Sequence, residues 1–574
     1  MSQSRIHLLF ILTMAATTAA FSQDRSQARS LVISERGIAA TSQTLASQAG
    51  AQILARGGNA VDAAIAANAA LAVVEPMMNG IGGDLFVIMR DGKTGKIIGL
   101  NASGWAPKGL TREFLSKANT YGMPQSGIHS VTVPGAVEGW ERLHKKYGRL
   151  AWADLFQPAI YYARQGFPVT EWIQGSWDGS RAKLLADDNA KAAYLRDGQA
   201  PKVGEVWKLP GMARAFELIA AQGAAAFYKG EIAEAILKTS RRLGGTMSAA
   251  DLAEYQSEWV EPISTKYRGW DVYELPPNGQ GMAALSMLNI MERFDISKWD
   301  PLSTEALHHK IEAQKLAYAD LQRYLGDPRS SRIPVRELIS KSYAEKRAKL
   351  IDAERAHCNV DPGNPIPGTG DTIYLSTVDQ DGTVVSLIQS VYLSFGSGVA
   401  VDDYSFHLHN RGGLFTLDEG HPNELKPRKR PFHTIIPGYM EKDGQHVGFG
   451  IMGGLNQAQA HAQFISYVAD HGDNIQMALE RPRFTKLNFS GCDVMLEARI
   501  PERAVEALRS RGHYVQMQGD FSSWMGGGQA VLHDSRAKVN YGASSPRKDG
   551  AAVPEPDPYF GSPGLSSVKP SGAR

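Results

Sequence analysis

The sequence predicts an α+β protein whose two parts differ in secondary structure. Up to about residue 350 the apolar residues recur mostly at helical spacing. The segment 359–371 is dense in proline and glycine and predicts an exposed loop. From Ile373 onwards the pattern has a period of two, which is typical of strands. We therefore expect a helix-rich part, residues 23–371, and a strand-rich part, residues 372–574.

Residues 1–22 have the layout of a secretory signal. Basic residues precede an apolar run, Leu8 to Leu12, and small residues near Ala20 and Ser22 offer cleavage sites. The run is too short to span a bilayer, and no later stretch reaches that length. A buried N-terminal helix is the alternative, but the polar residues that follow suit an exposed terminus. The prediction is a secreted or periplasmic protein with no membrane span.

Charge and cysteine content limit the partners. The net charge is +2 and the basic residues form no long tract, so nucleic acid is not a predicted partner. The two cysteines, Cys358 and Cys492, lack metal-binding spacing. Nothing in the sequence decides whether they pair. Because they lie on either side of the predicted boundary, a disulfide would link the two parts.

The first elements are two helices and two strands. Ser42 to Arg56 has helical spacing and ends at a glycine pair. Asn59 is a predicted cap for a second helix, Ala60 to Val74, which is apolar on most sides and therefore predicted to be buried. Leu85–Met89 and Lys96–Leu100 are predicted strands.

Later elements follow the same reasoning. Residues 135–350 are predicted to be mainly helical, with one strand near Trp270–Leu275. A hairpin is predicted from two alternating runs around Gln380-Asp381-Gly382. The remaining predictions are hairpin strands Ile373–Asp379 and Thr383–Ser390, strands near Val399–Val401 and His446–Gly450, a helix at Ala458–Ala469, and a disordered tail from about residue 554 to 574.

No single motif in the sequence identifies the reaction. Gly448 to Gly453 fits G-x-G-x-x-G after a strand, which allows a dinucleotide site or backbone N–H groups that face an oxyanion. No G-x-S-x-G, Walker A or H-E-x-x-H pattern occurs. His407 and His409 would bind a metal only with a third ligand, so no metal and no cofactor are predicted.

The strongest signal is a series of eight segments in a fixed order between about Gly37 and Ala552. They begin at Gly57 (GGNAVDAAIA), Gly80 (GIGGD), Val133 (VPGAVEGW), Gly370 (GDT), Phe395 (FGSG), Lys429 (KRP), Met452 (MGG) and Tyr541 (YGASSPRKDG). Together they resemble the γ-glutamyltransferase family of N-terminal-nucleophile hydrolases.

The resemblance implies a four-layer αββα sandwich and a precursor that cleaves itself between Asp371 and Thr372. Thr372 is then the expected nucleophile, and its own α-amine, with an unperturbed pKa near 8, the base. Gly453 and Gly454 are expected to supply oxyanion N–H groups, and Ser390 to support the nucleophile. The two subunits of one precursor are expected to remain associated.

Departures from the family concern the substrate. Ser103 stands where the family has an arginine that holds the substrate carboxylate, and no acid follows Asn410 where the family holds the α-amine. His433 and Thr434 replace a serine pair. These positions, with Arg411, are the predicted substrate-binding residues, and Arg411 or His433 is the candidate to take over the carboxylate.

The first functional expectation is hydrolysis of γ-glutamyl amides such as glutathione, with the acyl group passed to water or an amine. The alternative is an acylase or amidohydrolase that accepts a non-glutamyl amide, of the cephalosporin, glutaryl or oxamate type. From other classes, a non-catalytic binding protein or a dinucleotide-dependent enzyme remains.

Overall fold

The computed structural model describes residues 27–360, 371–488 and 491–561. The predicted signal segment 1–22 lies outside these residues, as do residues 361–370 of the proline-rich loop and the last part of the predicted tail.

The strands form two seven-stranded sheets and two small ones. In chain order they are β1 (Val32–Ser34), β2 (Ile38–Thr41), β3 (Asp84–Arg90), β4 (Ile97–Ala102), β5 (Phe167–Pro168), β6 (Val206–Trp207), β7 (Glu258–Val260), β8 (Ile263–Tyr267), β9 (Trp270–Glu274), β10 (Asp371–Val378), β11 (Val384–Tyr392), β12 (Gly438–Lys442), β13 (Gln445–Ile451), β14 (Phe484–Thr485), β15 (Asp493–Glu497), β16 (Tyr514–Gln518), β17 (Gly528–Asp534), β18 (Val539–Ser544) and β19 (Ala551–Pro554).

The α-helices are α1 (Thr44–Ala55), α2 (Ala60–Val74), α3 (Arg112–Lys117), α4 (Ala136–Tyr147), α5 (Gln157–Gln165), α6 (Glu171–Gly179), α7 (Arg181–Leu184), α8 (Asp188–Tyr194), α9 (Pro210–Gln222), α10 (Ala225–Tyr228), α11 (Glu231–Arg242), α12 (Ala249–Ala253), α13 (Gly281–Met291), α14 (Thr304–Tyr324), α15 (Val335–Leu338), α16 (Lys341–Ala348), α17 (Asn456–His471), α18 (Ile475–Glu480), α19 (Glu502–Ser510) and α20 (Pro558–Gly561). Within the described residues, no helix is both long and apolar enough to cross a membrane.

The two large sheets stack face to face and carry helices on their outer faces. One sheet has the order β19-β2-β10-β11-β3-β4-β7, and the other β1-β18-β17-β13-β12-β9-β8. Apolar side chains from both sheets, among them Phe86, Tyr374 and Val531, fill the space between them. Helix α2 covers the outer face of the first sheet, while α13 and α17 cover the second. This arrangement is the predicted αββα sandwich, and the prediction is confirmed.

Helix α2 forms where it is predicted. Asn59 caps it, since its side chain accepts from the Asp62 backbone N–H while the Asp62 side chain accepts from the Asn59 N–H. All residues of α2 are buried, as expected for a helix that is apolar on most sides. It ends at Glu75, which places that side chain beside the head of β10.

Two glycines of the G-x-G-x-x-G motif lie where the sheets approach closely. A Cβ on Gly450 would stand 2.4 Å from the Tyr374 ring, and one on Gly448 2.7 Å from Val384. Their strand, β13, is antiparallel to both of its neighbours, β12 and β17. The parallel βαβ unit that a dinucleotide fingerprint needs is therefore absent at this strand.

Several details differ from the predictions. Residues 135–350 hold the short strands β5, β6, β7 and β8 besides the predicted strand at β9. The predicted strand near Val399 is only an isolated bridge between Ala400 and His407. Ordered structure also continues beyond residue 554, because Glu555 is buried and pairs with Arg36. These short elements are stabilised by distant partners rather than by their local sequence.

Cys358 and Cys492 form a disulfide. Cys358 precedes the predicted cleavage site and Cys492 follows it, so one covalent bond joins the two predicted subunits. The structure therefore shows that the two cysteines pair, which the sequence alone does not decide.

Candidate active site

Thr372 lies in a bulge at the head of β10. Asp371 is opposite Tyr392 and Ile373 is opposite Gln389, with the pairing register shifted between Asp371 and Ile373. Thr372 alone stands opposite Ser390 and Val391, so the extra residue of this bulge belongs to β11. Thr372 is fully buried.

Ser390 lies next to the Thr372 hydroxyl. The Thr372 Oγ1 donates to Ser390 Oγ at 3.1 Å, and the Tyr392 N–H donates to the same oxygen at 2.8 Å. Tyr392 adopts a φ of 77°, which is rare for a residue with a side chain. The irregular end of β11 therefore places Ser390 as a hydrogen-bond acceptor for the expected nucleophile.

The loop between β13 and α17 has two backbone donors available. Gly453 and Gly454 have φ values of 130° and 59°, so only glycine is unstrained there. The Gly453 carbonyl accepts from the Asn456 N–H at 3.0 Å, and the Gly454 carbonyl from Gln280 Nε2 at 2.8 Å. Within the described residues neither glycine N–H donates a hydrogen bond, and two such groups suit an oxyanion.

Lys548 connects this loop to Thr372. Its Nζ donates to the Thr372 carbonyl oxygen at 3.4 Å. Its aliphatic stem packs against Gly527, whose carbonyl accepts from the Met452 N–H at 3.1 Å. Because Met452 directly precedes Gly453, the Lys548 side chain contacts both the support of the Gly453–Gly454 loop and the head of β10.

A fully buried cluster of charged and polar side chains surrounds Asp84 at the start of β3. His433 Nε2 lies 2.9 Å and His409 Nδ1 3.5 Å from Asp84 Oδ2. The other carboxylate oxygen accepts from the N–H groups of Gly104 and Gly135 at 3.0 and 3.2 Å. The oxygens of this acid are thus occupied by protein groups.

Burial and mutual charge decide which members of the cluster are ionised. Burial alone would raise the pKa of Asp84, but His409, His433 and Arg411 hold it below its usual value. Burial lowers the pKa of His433 to about 3, with the nearby Arg411 adding to the effect. Burial also lowers the pKa of Arg411, to about 10. At neutral pH the cluster therefore holds a carboxylate, a guanidinium and a neutral His433.

Arg411 has N–H donors that no described protein group accepts. Its Nη1 donates to Thr434 Oγ1 at 2.8 Å, and its Cζ lies 4.6 Å from the centre of the Tyr392 ring. Among the described residues, its Nε and Nη2 have no hydrogen-bond partner although the side chain is fully buried. A guanidinium with two unused N–H positions matches a carboxylate.

Ser103 lies in the same region, and its hydroxyl is already hydrogen-bonded to protein groups. Its Oγ donates to Asn101 Oδ1 at 2.7 Å and accepts from Asn278 Nδ2 at 3.2 Å. The Asn278 carbonyl in turn accepts from the His433 N–H at 2.9 Å. The structure thus brings the four predicted substrate-binding residues together around Asp84, and Arg411 is the one that offers unused charge-assisted donors.

The cluster contacts residues that hydrogen-bond to Gly454 and to Ser390. Gln280 Nε2 donates to the carbonyl oxygens of Thr434 and Gly454. On the other side Arg411 stacks on Tyr392, whose N–H is bonded to Ser390. Gln280, Asp84 and Lys548 were not predicted from the sequence, although Asp84 and Lys548 lie inside segments that carry the family resemblance.

A cavity of about 450 Å³ borders the loop that follows β13. Its lining includes Gly453, Met452, Trp172 and Trp524, but neither Thr372 nor Arg411. The cavity therefore reaches Gly453 from outside, while Thr372 is fully buried.

The other candidate ligands lie apart from this site. His407 packs between the rings of Tyr194 and Phe395, away from His409. Of the described residues, His308, Glu312 and His513 form one group with the spacing of metal ligands. The Lys315 ammonium lies 2.5 Å from the Glu312 carboxylate and already supplies a positive charge there.

Comparison with known proteins decides the family. The family model described as gamma-glutamyltranspeptidase matches residues 46–555. The chain belongs to this family. The glutathione hydrolase-like YwrD proenzyme of Bacillus subtilis is 38% identical over 528 residues, covering 91% of this chain and 99% of that protein. The oxamate amidohydrolase proenzyme of Klebsiella pneumoniae is 33% identical over 531 residues, covering 91% and 99%.

Among solved structures, the cephalosporin acylase from Bacillus halodurans superposes with a TM-score of 0.87 at 41% identity, covering 94% of this chain and 99% of that chain. The protein is therefore an enzyme, an amide hydrolase of the γ-glutamyltransferase and acylase type. Its relatives carry names for three different substrates, so family membership leaves the acyl group open.

Proposed function

We propose that the protein cleaves itself between Asp371 and Thr372, and that Thr372 then hydrolyses amides whose acyl group carries a carboxylate but no α-amine. Two observations support the cleavage. The Thr372 hydroxyl is bonded to Ser390 in a bulge at the scissile bond, and the compared relatives from B. subtilis and K. pneumoniae are named as proenzymes.

In the self-cleavage the Thr372 Oγ1 attacks the carbonyl carbon of Asp371. The C–N bond breaks, an ester joins Asp371 to the Thr372 oxygen, and the freed nitrogen becomes the α-amine. Water then hydrolyses the ester, which leaves a carboxylate on Asp371 and a free hydroxyl on Thr372. The products are a large chain that ends at Asp371 and a small chain that begins at Thr372.

In the catalytic cycle the neutral α-amine takes the hydroxyl proton as Oγ1 attacks the substrate carbonyl. The N–H groups of Gly453 and Gly454 bind the oxyanion, an interaction whose loss typically costs about 3–4 kcal/mol in barrier. The α-ammonium returns the proton to the leaving amine. Water, or a second amine, then releases the acyl group from Thr372.

The buried Arg411, with two unused N–H positions, is the observation that carries the substrate proposal. Contacts link Arg411 to Ser390 through Tyr392, and to Gly454 through Thr434 and Gln280, so a carboxylate bound to Arg411 would lie near the residues that surround Thr372. Asp84, the acid of this cluster, is occupied by two backbone N–H groups and His433, so an α-ammonium would find no free acid there. Monoamides of dicarboxylic acids fit these groups.

Hydrolysis of γ-glutamyl amides is the second candidate, favoured by the 38% identical relative named glutathione hydrolase-like. The two candidates differ in one chemical group, since a glutaryl amide is a γ-glutamyl amide without its α-amine.

Three anilides that differ by one group each test the substrate proposal. We expect kcat/KM for glutaryl p-nitroanilide to exceed that for γ-glutamyl p-nitroanilide by about 10-fold or more, because burying an unsatisfied polar group costs roughly 1–3 kcal/mol and a charged group costs more. Butyryl p-nitroanilide, which lacks the carboxylate, is expected to be poorer than the glutaryl compound by a similar factor. Release of p-nitroaniline gives the rates. A preference for the γ-glutamyl anilide would overturn the proposal in favour of the second candidate.

We propose further that the protein is exported. The signal-like segment 1–22 and the Cys358–Cys492 disulfide support this, because structural disulfides persist in oxidising compartments. The periplasm or the extracellular space meets that condition.

The disulfide gives the self-cleavage a distinct signature on gels. After cleavage we expect one band under non-reducing conditions and two bands after reduction, because the bond joins the large and small chains. Cys492→Ser is the matched control and is expected to give two bands in both conditions. Two bands from the natural protein without reductant would show that the chains are not covalently joined.

A further inference from the structure

Lys548 and Glu75 form a buried ion pair at the head of β10. The Lys548 Nζ contacts Glu75 Oε1, and both side chains are 1% exposed. The same Nζ donates to the Thr372 carbonyl oxygen at 3.4 Å. The steps described above use neither charge.

Both members of the pair are held in place. Glu75 ends α2, and its Oε2 accepts from the Ser42 hydroxyl at 2.5 Å. The Lys548 stem is confined by Gly527, where a Cβ would stand 2.6 Å from Lys548 Cγ. Its Nζ lies 4.0 Å from the centre of the Trp172 ring, a residue of the cavity wall. A long flexible side chain is thus fixed in one position by contacts along its length.

This position is close to the amine that cleavage would create. The nitrogen and carbonyl oxygen of Thr372 belong to one residue, so the α-nitrogen lies within about 7 Å of the Lys548 Nζ. At that distance and an effective dielectric constant of about 20, a like charge lowers the pKa of the amine by an amount of the order of one unit. A free α-amine with a pKa of about 8 is mostly protonated at pH 7, and in that form it cannot accept the hydroxyl proton.

We propose that the Lys548–Glu75 pair sets the charge state of the Thr372 α-amine, an inference that rests on the proposed self-cleavage. The Lys548 ammonium favours the neutral amine that acts as the base, and the Glu75 carboxylate limits this effect. Neither residue takes part in bond making, so both are positioning residues that act through the electrostatic field at Thr372.

Other charged groups also face this region. Glu171 on α6 lines the cavity beside Trp172. On the far side of Ser390 and Tyr392, Asp84 carries a negative charge and Arg411 a positive charge. Burial lowers the pKa of His433 and keeps it neutral at neutral pH. These groups are the same in every variant below, so they do not contribute to the differences between variants.

The two members of the pair predict pH shifts of opposite sign. Lys548→Met removes the like charge and leaves the Glu75 carboxylate, so the amine becomes easier to protonate. The acidic limb of the kcat/KM profile is expected to move up by about one pH unit. Glu75→Gln leaves the ammonium uncompensated, so the limb is expected to move down by a similar amount. Lys548→Arg keeps the charge and is expected to keep the limb near its natural position.

The small chain of each variant is first sequenced from its N-terminus, and profiles are then measured with the best anilide substrate. A purely structural role would lower activity at all pH values and leave the limb in place for both variants, which would overturn the inference. Shifts of the same sign would also overturn it. If one variant stays uncut, the sign of the other variant's shift decides. A natural protein that lacks the Thr372 N-terminus would refute the proposed function instead.

Discussion

Replacing Thr372 with alanine is expected to leave the chain in one piece and to remove all amide hydrolysis. Alanine has no hydroxyl to attack the Asp371 carbonyl, and without cleavage no α-amine exists to act as the base. The loss is expected to be complete within detection. A reducing gel measures the cleavage, and N-terminal sequencing of the smaller band of the natural protein is expected to read Thr-Ile-Tyr-Leu.

Thr372→Ser is the matched control, because it keeps the hydroxyl and loses only a methyl group. It is expected to be cut at the same bond and to retain measurable hydrolysis. If the alanine variant is cut, or if the natural chain is cut elsewhere, Thr372 is not the nucleophile. The Ser390 contact to its hydroxyl would then have only a structural role.

Replacing Arg411 with glutamine is expected to lower kcat/KM for glutaryl p-nitroanilide by about 10- to 100-fold. A charge-assisted hydrogen bond contributes roughly 1.5–3 kcal/mol, and glutamine offers no positive charge to a carboxylate. Butyryl p-nitroanilide has no carboxylate, so its kcat/KM is expected to change by less than about 3-fold. The ratio of the two rates separates carboxylate binding from a general loss of active enzyme.

Arg242→Gln serves as the control for removing an arginine. That side chain pairs with Asp187 and Asp402, outside the Asp84 cluster. It is expected to leave the ratio of glutaryl to butyryl hydrolysis as in the natural protein. If Arg411→Gln lowers both rates equally, the arginine supports the fold around Asp84 and does not bind the substrate carboxylate.

The local sequence pattern predicted the elements that surround Thr372. The period of two after Ile373 and the turn at Gly382 predicted the β10–β11 hairpin, and Gly382 has the positive φ that such a turn uses. The apolar run with Asn59 before it predicted α2 to the residue. These elements are set by spacing, capping and turn chemistry, which act over a few residues.

The family was also predictable from the sequence, because eight ordered segments together are far more specific than any one.

The G-x-G-x-x-G motif, in contrast, did not identify the role of its glycines. Its glycines Gly448 and Gly450 reflect the close approach of Val384 and Tyr374 across the sandwich, which the motif alone did not reveal. A short pattern satisfied by several physical causes cannot choose between them.

By itself the sequence determined the fold class, the family resemblance and Thr372 as the expected nucleophile. Only the tertiary structure decided the bulge at Thr372, the pairing of Cys358 with Cys492, and the free donors of Arg411 beside Asp84. The Lys548–Glu75 pair joins residues 473 positions apart. The physical reason is that secondary structure follows from neighbours along the chain, whereas hydrogen-bond satisfaction and charge compensation in the interior depend on which distant segments the fold packs together.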